Sequence, residues 1–149
     1  KSILRHPECI SSIDEFATGS AFKEVYDETE LANIKADKVS KMVFCSGKIY
    51  YDLIAYRREQ KIKDAVVVRI EQLYPYPQDQ IDAIFTKYKK ADIRWVQEEP
   101  ANMGALNYIR NLFPNNAKMI SRKPSASTAT GFKKIHDRQQ LEIMVKSFE

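Results

Sequence analysis

At 149 residues the chain suits one domain, long enough to bury about 68–70% of its unfolded surface around a single core. Its hydrophobic content of 44% and charged content of 30% are those of a soluble globular protein, and no apolar run approaches the roughly 18 residues of a membrane span. The formal charge of +4, from 24 basic and 20 acidic residues, contains no run of five or six like charges, so the basic groups read as solvated helix faces rather than a nucleic-acid surface.

Residues 1–40 read as an irregular lead-in, an entry segment of the same domain, of which residues 1–21 are expected to pack over the surface. The segment begins Lys1-Ser2-Ile3-Leu4-Arg5-His6-Pro7, without an initiator methionine or the apolar stretch of a secretory signal, and reads as cut from something longer. Phe22, Val25 and Tyr26 suit an extra edge strand whose direction the sequence leaves open. The α/β core then occupies 41–149. Four apolar runs of strand length recur there: Met42-Val43-Phe44-Cys45, Ala65-Val66-Val67-Val68, Ile93-Arg94-Trp95-Val96 and Lys118-Met119-Ile120. Nearly continuous apolar blocks suit strands covered on both faces, and about two dozen residues between runs leave room for helical crossovers.

The intervening segments carry helical stripes. Tyr50, Leu53, Ile54 and Arg57 follow the first run, with Ser46 as a capping residue; Ile81, Ile84, Phe85 and Tyr88 follow the second, after Pro75 and Pro77 and with Asp79 and Asp82 at the helix amino end. Leu106, Ile109 and Phe113 follow the third, with Asn102 as a cap, and Leu141, Met144, Val145 and Phe148 follow the fourth. The expected architecture is a three-layer α/β/α domain. Cys9 and Cys45 have neither metal-ligand nor redox-motif spacing; Cys45 reads as a buried small hydrophobe, which fits a reducing compartment.

In an open α/β sheet, ligands bind beyond the carboxyl ends of the strands, where strand order reverses. Four loops therefore matter: Ser46-Gly47-Lys48, Glu71-Gln72-Leu73-Tyr74, Gln97-Glu98-Glu99-Pro100 and Arg122-Lys123-Pro124-Ser125. The first offers a hydroxyl, a glycine and a lysine at a helix amino end. Two readings stand side by side: helix capping alone, or an anion site built from free N–H groups and Lys48. It is not a P-loop, since the upstream glycine is missing. The candidate ligand site comprises Ser46, Gly47, Lys48, Gln97, Glu98, Glu99 and Arg122. Neighbouring carboxylates on a strand point in opposite directions, so Glu98 and Glu99 suit pairing with Lys48 or Arg122 better than acid–base or metal chemistry. His136 beside Asp137 has no nucleophile to serve and reads as exposed or capping, and Trp95 as a core aromatic. No catalytic set and no metal site are expected.

Five phrases then carry a resemblance: K-S-I-L-R-H-P (1–7), C-S-G-K-I-Y-Y-D-L (45–53), V-R-I-E-Q-L-Y-P-Y-P (68–77), W-V-Q-E-E-P-A-N-M-G-A (95–105) and R-K-P-S-A-S-T-A-T-G (122–131), continued through Lys134, Ile135, His136 and Gln140. In this order the chain resembles the carboxy-terminal region of the decarboxylase subunit of 2-oxoglutarate dehydrogenases. The resemblance implies a transketolase carboxy-terminal-type domain with a mostly parallel five-stranded sheet and one antiparallel edge strand. In it the strand ending at Cys45 neighbours the strand ending near Gln97, which puts the order switch between their two loops.

The resemblance also implies the parent reaction: thiamine diphosphate and magnesium, held in upstream domains, decarboxylate 2-oxoglutarate in the tricarboxylic acid cycle, and the succinyl group passes to the lipoyl arm of a succinyltransferase component. The parent subunit is expected to be a homodimer, with AMP or acetyl-CoA as effectors, in a bacterial cytoplasm or a mitochondrial matrix. This piece alone is expected to be structural and regulatory, not catalytic. The alternatives are a stand-alone nucleotide- or CoA-binding module and a partner-docking domain.

Overall fold

Strands form where β-branched and aromatic residues cluster, and each of the four apolar runs does become one. The structure, a computed structural model, describes residues 3–31 and 33–149. Lys1 and Ser2 of the first family-like phrase lie outside them. In chain order the elements are β1 (Val25–Tyr26), β2 (Lys41–Cys45), α1 (Ile49–Glu59), β3 (Ala65–Ile70), α2 (Gln78–Lys87), β4 (Asp92–Pro100), α3 (Leu106–Arg110), β5 (Lys118–Arg122) and α4 (Lys133–Phe148). The five strands make one sheet in the order β1-β3-β2-β4-β5. β2 pairs in parallel with both β3 and β4, and β4 in parallel with β5. β1 closes the edge antiparallel to β3, with Val25 opposite Ile70. That settles the direction of the edge strand. It is shorter than the stretch of candidates, because Phe22 stays outside it and is exposed.

Period-two alternation along the strands divides the core in two. Met42, Phe44, Val66, Val68 and Trp95 face α2 and α3, meeting Ile81, Ile84, Leu106 and Ile109. Val43, Cys45, Ala65, Val67 and Val96 face α1 and α4, meeting Leu53, Ile54, Ile143 and Met144. Both faces are covered, which is why the strands read as apolar blocks. Each fully buried side chain of this kind contributes about 1.5–3 kcal/mol before conformational entropy is charged against it.

Two helices depart from their expected stripes. In α4 Leu141 is 55% exposed, while Ile143 and Ser147 join Met144 and Phe148 inside. Ser147 is tolerated there because its hydroxyl donates to the Ile143 carbonyl at 2.7 Å. The helix rests on both the sheet and α1, so its buried face is turned away from the simplest apolar stripe. In α3 only five residues are helical, and Phe113 packs into the core from the turn that follows.

The lead-in is held most closely over residues 24–30, where β1 pairs with β3 and Glu24, Asp27, Glu28 and Glu30 bond to Gln80, Lys87, Arg57 and Arg58. Arg57 on α1, 2% exposed, forks onto Glu28: Nη1 donates to Oε2 at 2.5 Å and Nη2 to Oε1 at 3.0 Å. Glu28 Oε2 also accepts from the Val67 N–H at 2.9 Å. Nearer the start, His6 stacks on Tyr51 with ring centroids 4.3 Å apart, and Glu8 accepts from Arg58 Nη1. The apolar side chains Ile10, Ile13 and Phe16 stay exposed.

Candidate functional site at the strand ends

β2 delivers the chain to Ser46, and Gly47 then takes φ +75, a left-handed turn that favours glycine. The right-handed helix can start only after that turn. Accordingly Lys48, not Ser46, occupies the position before α1, and no side chain caps the helix. The capping role expected of Ser46 is therefore corrected. The first turn closes through Tyr50 N–H to Gly47 O at 3.3 Å and Tyr51 N–H to Lys48 O at 3.0 Å.

β4 does not end before Gln97, where the sequence suggests a loop. It runs on through Gln97, Glu98 and Glu99 to Pro100, so these are strand residues rather than a loop. Between Val96 and Pro100 the pairing to β5 is irregular, resuming at Pro100 opposite Arg122. Such bulges re-aim side chains at strand ends. Here the alternation sends Trp95, Gln97 and Glu99 to one face and Glu98 to the other.

On the first face Gln97 is 3% exposed and fully employed. Its Oε1 accepts from Trp95 Nε1 at 3.2 Å, and its Nε2 donates to the carbonyls of Pro100 at 3.2 Å and Met103 at 2.8 Å. Gly104, at φ +65, sits against that amide: a Cβ there would lie 3.0 Å from Gln97 Nε2. Above them opens a cleft of about 610 Å³ lined by Ser46, Gly47, Leu73, Tyr74, Trp95, Gln97, Glu99, Gly104, Ala105 and Tyr108. Tyr74 is 83% exposed at its rim. Glu99 is the one charged lining residue, so the cleft offers aromatic and apolar surface and a carboxylate acceptor.

On the opposite face Lys48 is committed. Its Nζ donates to Asp52 Oδ2 at 2.7 Å and lies 3.4 Å from Glu98 Oε2, the pairing that strand alternation favours for Glu98. Burial pulls its ammonium pKa down, but the Asp52 hydrogen bond and the Glu98 charge outweigh that and leave it above its ordinary value. The chain of contacts continues: Gln140 Nε2 donates to Asp52 Oδ2 at 2.9 Å, and Gln140 Oε1 accepts from Arg122 Nη2 at 3.0 Å. The same Nη2 lies 3.1 Å from His136 Nδ1, which makes His136 a half-buried acceptor for Arg122 rather than an exposed or capping residue.

The sheet therefore separates the seven candidates. Ser46, Gly47, Gln97 and Glu99 share the cleft, whereas Lys48, Glu98 and Arg122 belong to the network between α1, β4, β5 and α4. The glycine turn and the strand-order switch do fall together at the cleft. Leu73 and Tyr74 come from another of the four strand-end loops, whereas Ala105 and Tyr108 carry no site signal in the sequence; counting by twos from Trp95 flags Gln97 and Glu99 as its companions. Asn102, expected to cap a helix, instead clamps the loop after β5: Nδ2 donates to Ser125 O at 2.9 Å and Oδ1 accepts from Ser125 N at 3.0 Å. Magnesium diphosphate does not fit the cleft, which has one carboxylate and no cation in its lining. Among the described residues no group of three or more His, Cys, Asp or Glu is arranged to hold a metal ion. No helix in them is long and apolar enough to cross a membrane.

A mostly parallel five-stranded sheet with helices on both faces and a crevice where strand order reverses defines the class: an open α/β domain. Within that class the chain belongs to the 2-oxoglutarate dehydrogenase C-terminal family, whose model matches residues 10–148. It is 44% identical to an oxoglutarate dehydrogenase of Buchnera aphidicola, over 97% of this chain and 16% of that protein. To the mitochondrial 2-oxoglutarate dehydrogenase of Caenorhabditis elegans it is 40% identical, over 99% of this chain and 15% of that protein. The 2-oxoglutarate dehydrogenase E1 component of Rickettsia typhi is 37% identical over 99% of the chain and 16% of its own length. The chain thus spans about one sixth of the length of these relatives.

Proposed function

We propose that the chain serves as the carboxy-terminal structural and regulatory domain of a 2-oxoglutarate dehydrogenase decarboxylase, a transketolase-type carboxy-terminal domain within an oxidoreductase multienzyme complex. The observation that carries this is the family match over residues 10–148 on a fold whose strand-end cleft has no cofactor-binding set. In the parent, thiamine diphosphate and magnesium sit on other domains and supply the decarboxylating chemistry. This domain contributes to the homodimer and to the assembly that presents the lipoyl succinyltransferase. That relatives include bacterial and mitochondrial enzymes supports a bacterial cytoplasm or a mitochondrial matrix as the parent's compartment.

An effector of the AMP or acetyl-CoA kind would use the cleft through its base and ribose. Leu73, Tyr108 and the Trp95 edge supply apolar contact, Glu99 accepts ribose hydroxyls, and the turn at Ser46 and Gly47 offers backbone N–H groups. With Lys48 held by Asp52 and Glu98, phosphate gains little there. The expected affinity is on the order of millimolar, about 4 kcal/mol. Calorimetric titration of the chain with thiamine diphosphate and magnesium is expected to give no saturable heat, and 2-oxoglutarate no turnover. AMP is expected to shift the amides of Gly47, Trp95 and Gly104. Saturable cofactor binding with turnover would overturn the assignment, and shifts confined to residues remote from the cleft would overturn the effector site.

A further inference from the structure

Arg122, Lys123, Arg138 and Lys146 line a cavity of about 180 Å³ between the end of β5 and the outer face of α4, where Glu142 is the one opposing carboxylate. Glu142 is only loosely engaged, 3.8 Å from Arg138 Nε. Arg122 spends its Nη2 on two neutral acceptors, His136 Nδ1 and Gln140 Oε1. Its Nε is buried with no acceptor at all. Among the described residues Lys123 and Lys146 reach no carboxylate. A net charge of +4 for the whole chain thus coexists with three uncompensated cations around one small cavity.

A second cavity of about 50 Å³ adjoins the first through Arg122, Lys123 and Gln139, and its far wall carries Ser125, Ser127, Thr128 and Thr130. Ser127 Oγ donates to Ala129 O and Thr130 Oγ1 to Gln139 Oε1, each at 2.7 Å, so the hydroxyls of Ser125 and Thr128 are the ones left to donate. Neither cavity shares a residue with the strand-end cleft. A guanidinium held in one pose by His136 and Gln140 is preorganised for an oxyanion. Hydroxyls opposite the cations suit a ligand with several acceptor oxygens around one centre. A tetrahedral dianion meets that demand better than a carboxylate does.

We propose that the β5–α4 pocket binds a small phosphate-bearing anion, held by Arg122 with Lys123 and Lys146. The Ser125–Thr130 loop is its hydroxyl wall, and Asn102, bonded to Ser125, fixes that loop to the residues following β4. Binding there would tie the last helix to the sheet edge.

The test is titration of the isotope-labelled chain with inorganic phosphate, at constant ionic strength set with sodium chloride in a zwitterionic buffer. Saturable amide shifts are expected at Ser121–Lys123, in the 125–130 loop and along Arg138–Lys146. The K123Q/K146Q double variant alters two exposed side chains, so its remaining spectrum should be unchanged while the phosphate Kd rises about tenfold or more. A sugar phosphate that binds more tightly than inorganic phosphate would identify the phosphoryl group of a larger metabolite as the ligand. Equal affinity would identify free phosphate. Shifts reproduced by sodium chloride alone, a Kd unchanged in the double variant, or saturable binding of a glutamate-rich peptide where phosphate fails would each overturn the proposal.

Discussion

Arg57 has the most to lose of any single side chain in the fold. On the helical pattern it reads as one more member of a stripe, yet its guanidinium is buried against Glu28, Glu30 and the Ala65 carbonyl at 3.1 Å. Removing one partner of a buried pair strands the other charge, so Arg57→Ala is expected to cost about 3–5 kcal/mol, measurable by urea unfolding. Burial raises the Glu28 carboxyl, but hydrogen bonds from Arg57, Leu31 N–H and Val67 N–H more than offset that and set it below its ordinary value of 4.5. A carboxylate depressed in the folded state stabilises fully above its unfolded pKa and loses that contribution as pH falls through the folded one. Unfolding midpoints from neutral pH down to about pH 3 should therefore decline below the ordinary carboxylate range, and more shallowly in a Glu28→Gln variant. The two thiols divide just as clearly. Cys45 is fully buried, and burial pushes its pKa up, whereas Cys9 is exposed. A thiol reagent is expected to titrate Cys9 promptly in the native chain and Cys45 only after denaturation; prompt reaction of both would contradict the packing of β2.

Among the elements, α1 shows how local backbone terms meet tertiary ones. It ends with Lys61 at φ 55, where Ile62 N–H returns to the Arg57 carbonyl at 3.0 Å. That is a left-handed helix stop of the kind glycine fills, occupied by a residue with a Cβ. Lys61→Gly is expected to stabilise the chain by up to about 1 kcal/mol, the relief of the left-handed strain being partly cancelled by the freer unfolded chain. A lowered melting temperature in that variant would show that the lysine makes contacts outweighing its backbone cost. β4 illustrates the opposite case. Its last residues look like a loop because they are charged and end in proline, yet they stay in the sheet, where the irregular pairing with β5 leaves Glu98 beside Lys48 and Glu99 on the wall of the cleft.

As a whole molecule the chain presents a covered sheet and an amino-terminal stretch held most closely over residues 24–30. The β1 edge is two residues long, which limits edge-to-edge pairing. On the proposed reading, upstream domains of a parent some six times as long supply most of the dimer contact, so this chain alone is expected to sediment as a monomer or a weak dimer at micromolar concentration, on the order of −8 kcal/mol at most. A tight dimer would show that this domain supplies the main contact itself.

What the sequence determined by itself was the sheet and its helices, because apolar periodicity and glycine turns are local signals carried by neighbours in the chain. The family-like phrases added the neighbouring of β2 and β4 and one antiparallel edge strand, and the full strand order came from the structure. Which candidate residues meet was decided by the tertiary structure. Ser46 and Lys48 are two residues apart, yet one faces the cleft and the other faces Asp52, since Gly47 turns the chain between them. The Arg57–Glu28 pair joins residues 29 positions apart, and the cationic pocket gathers Arg122, Lys123, Arg138 and Lys146 from a charge pattern that is unremarked when read in line. Charge and hydrogen-bond partners act through space over a few ångströms, and a one-residue change in strand alternation or turn geometry moves a side chain farther than that.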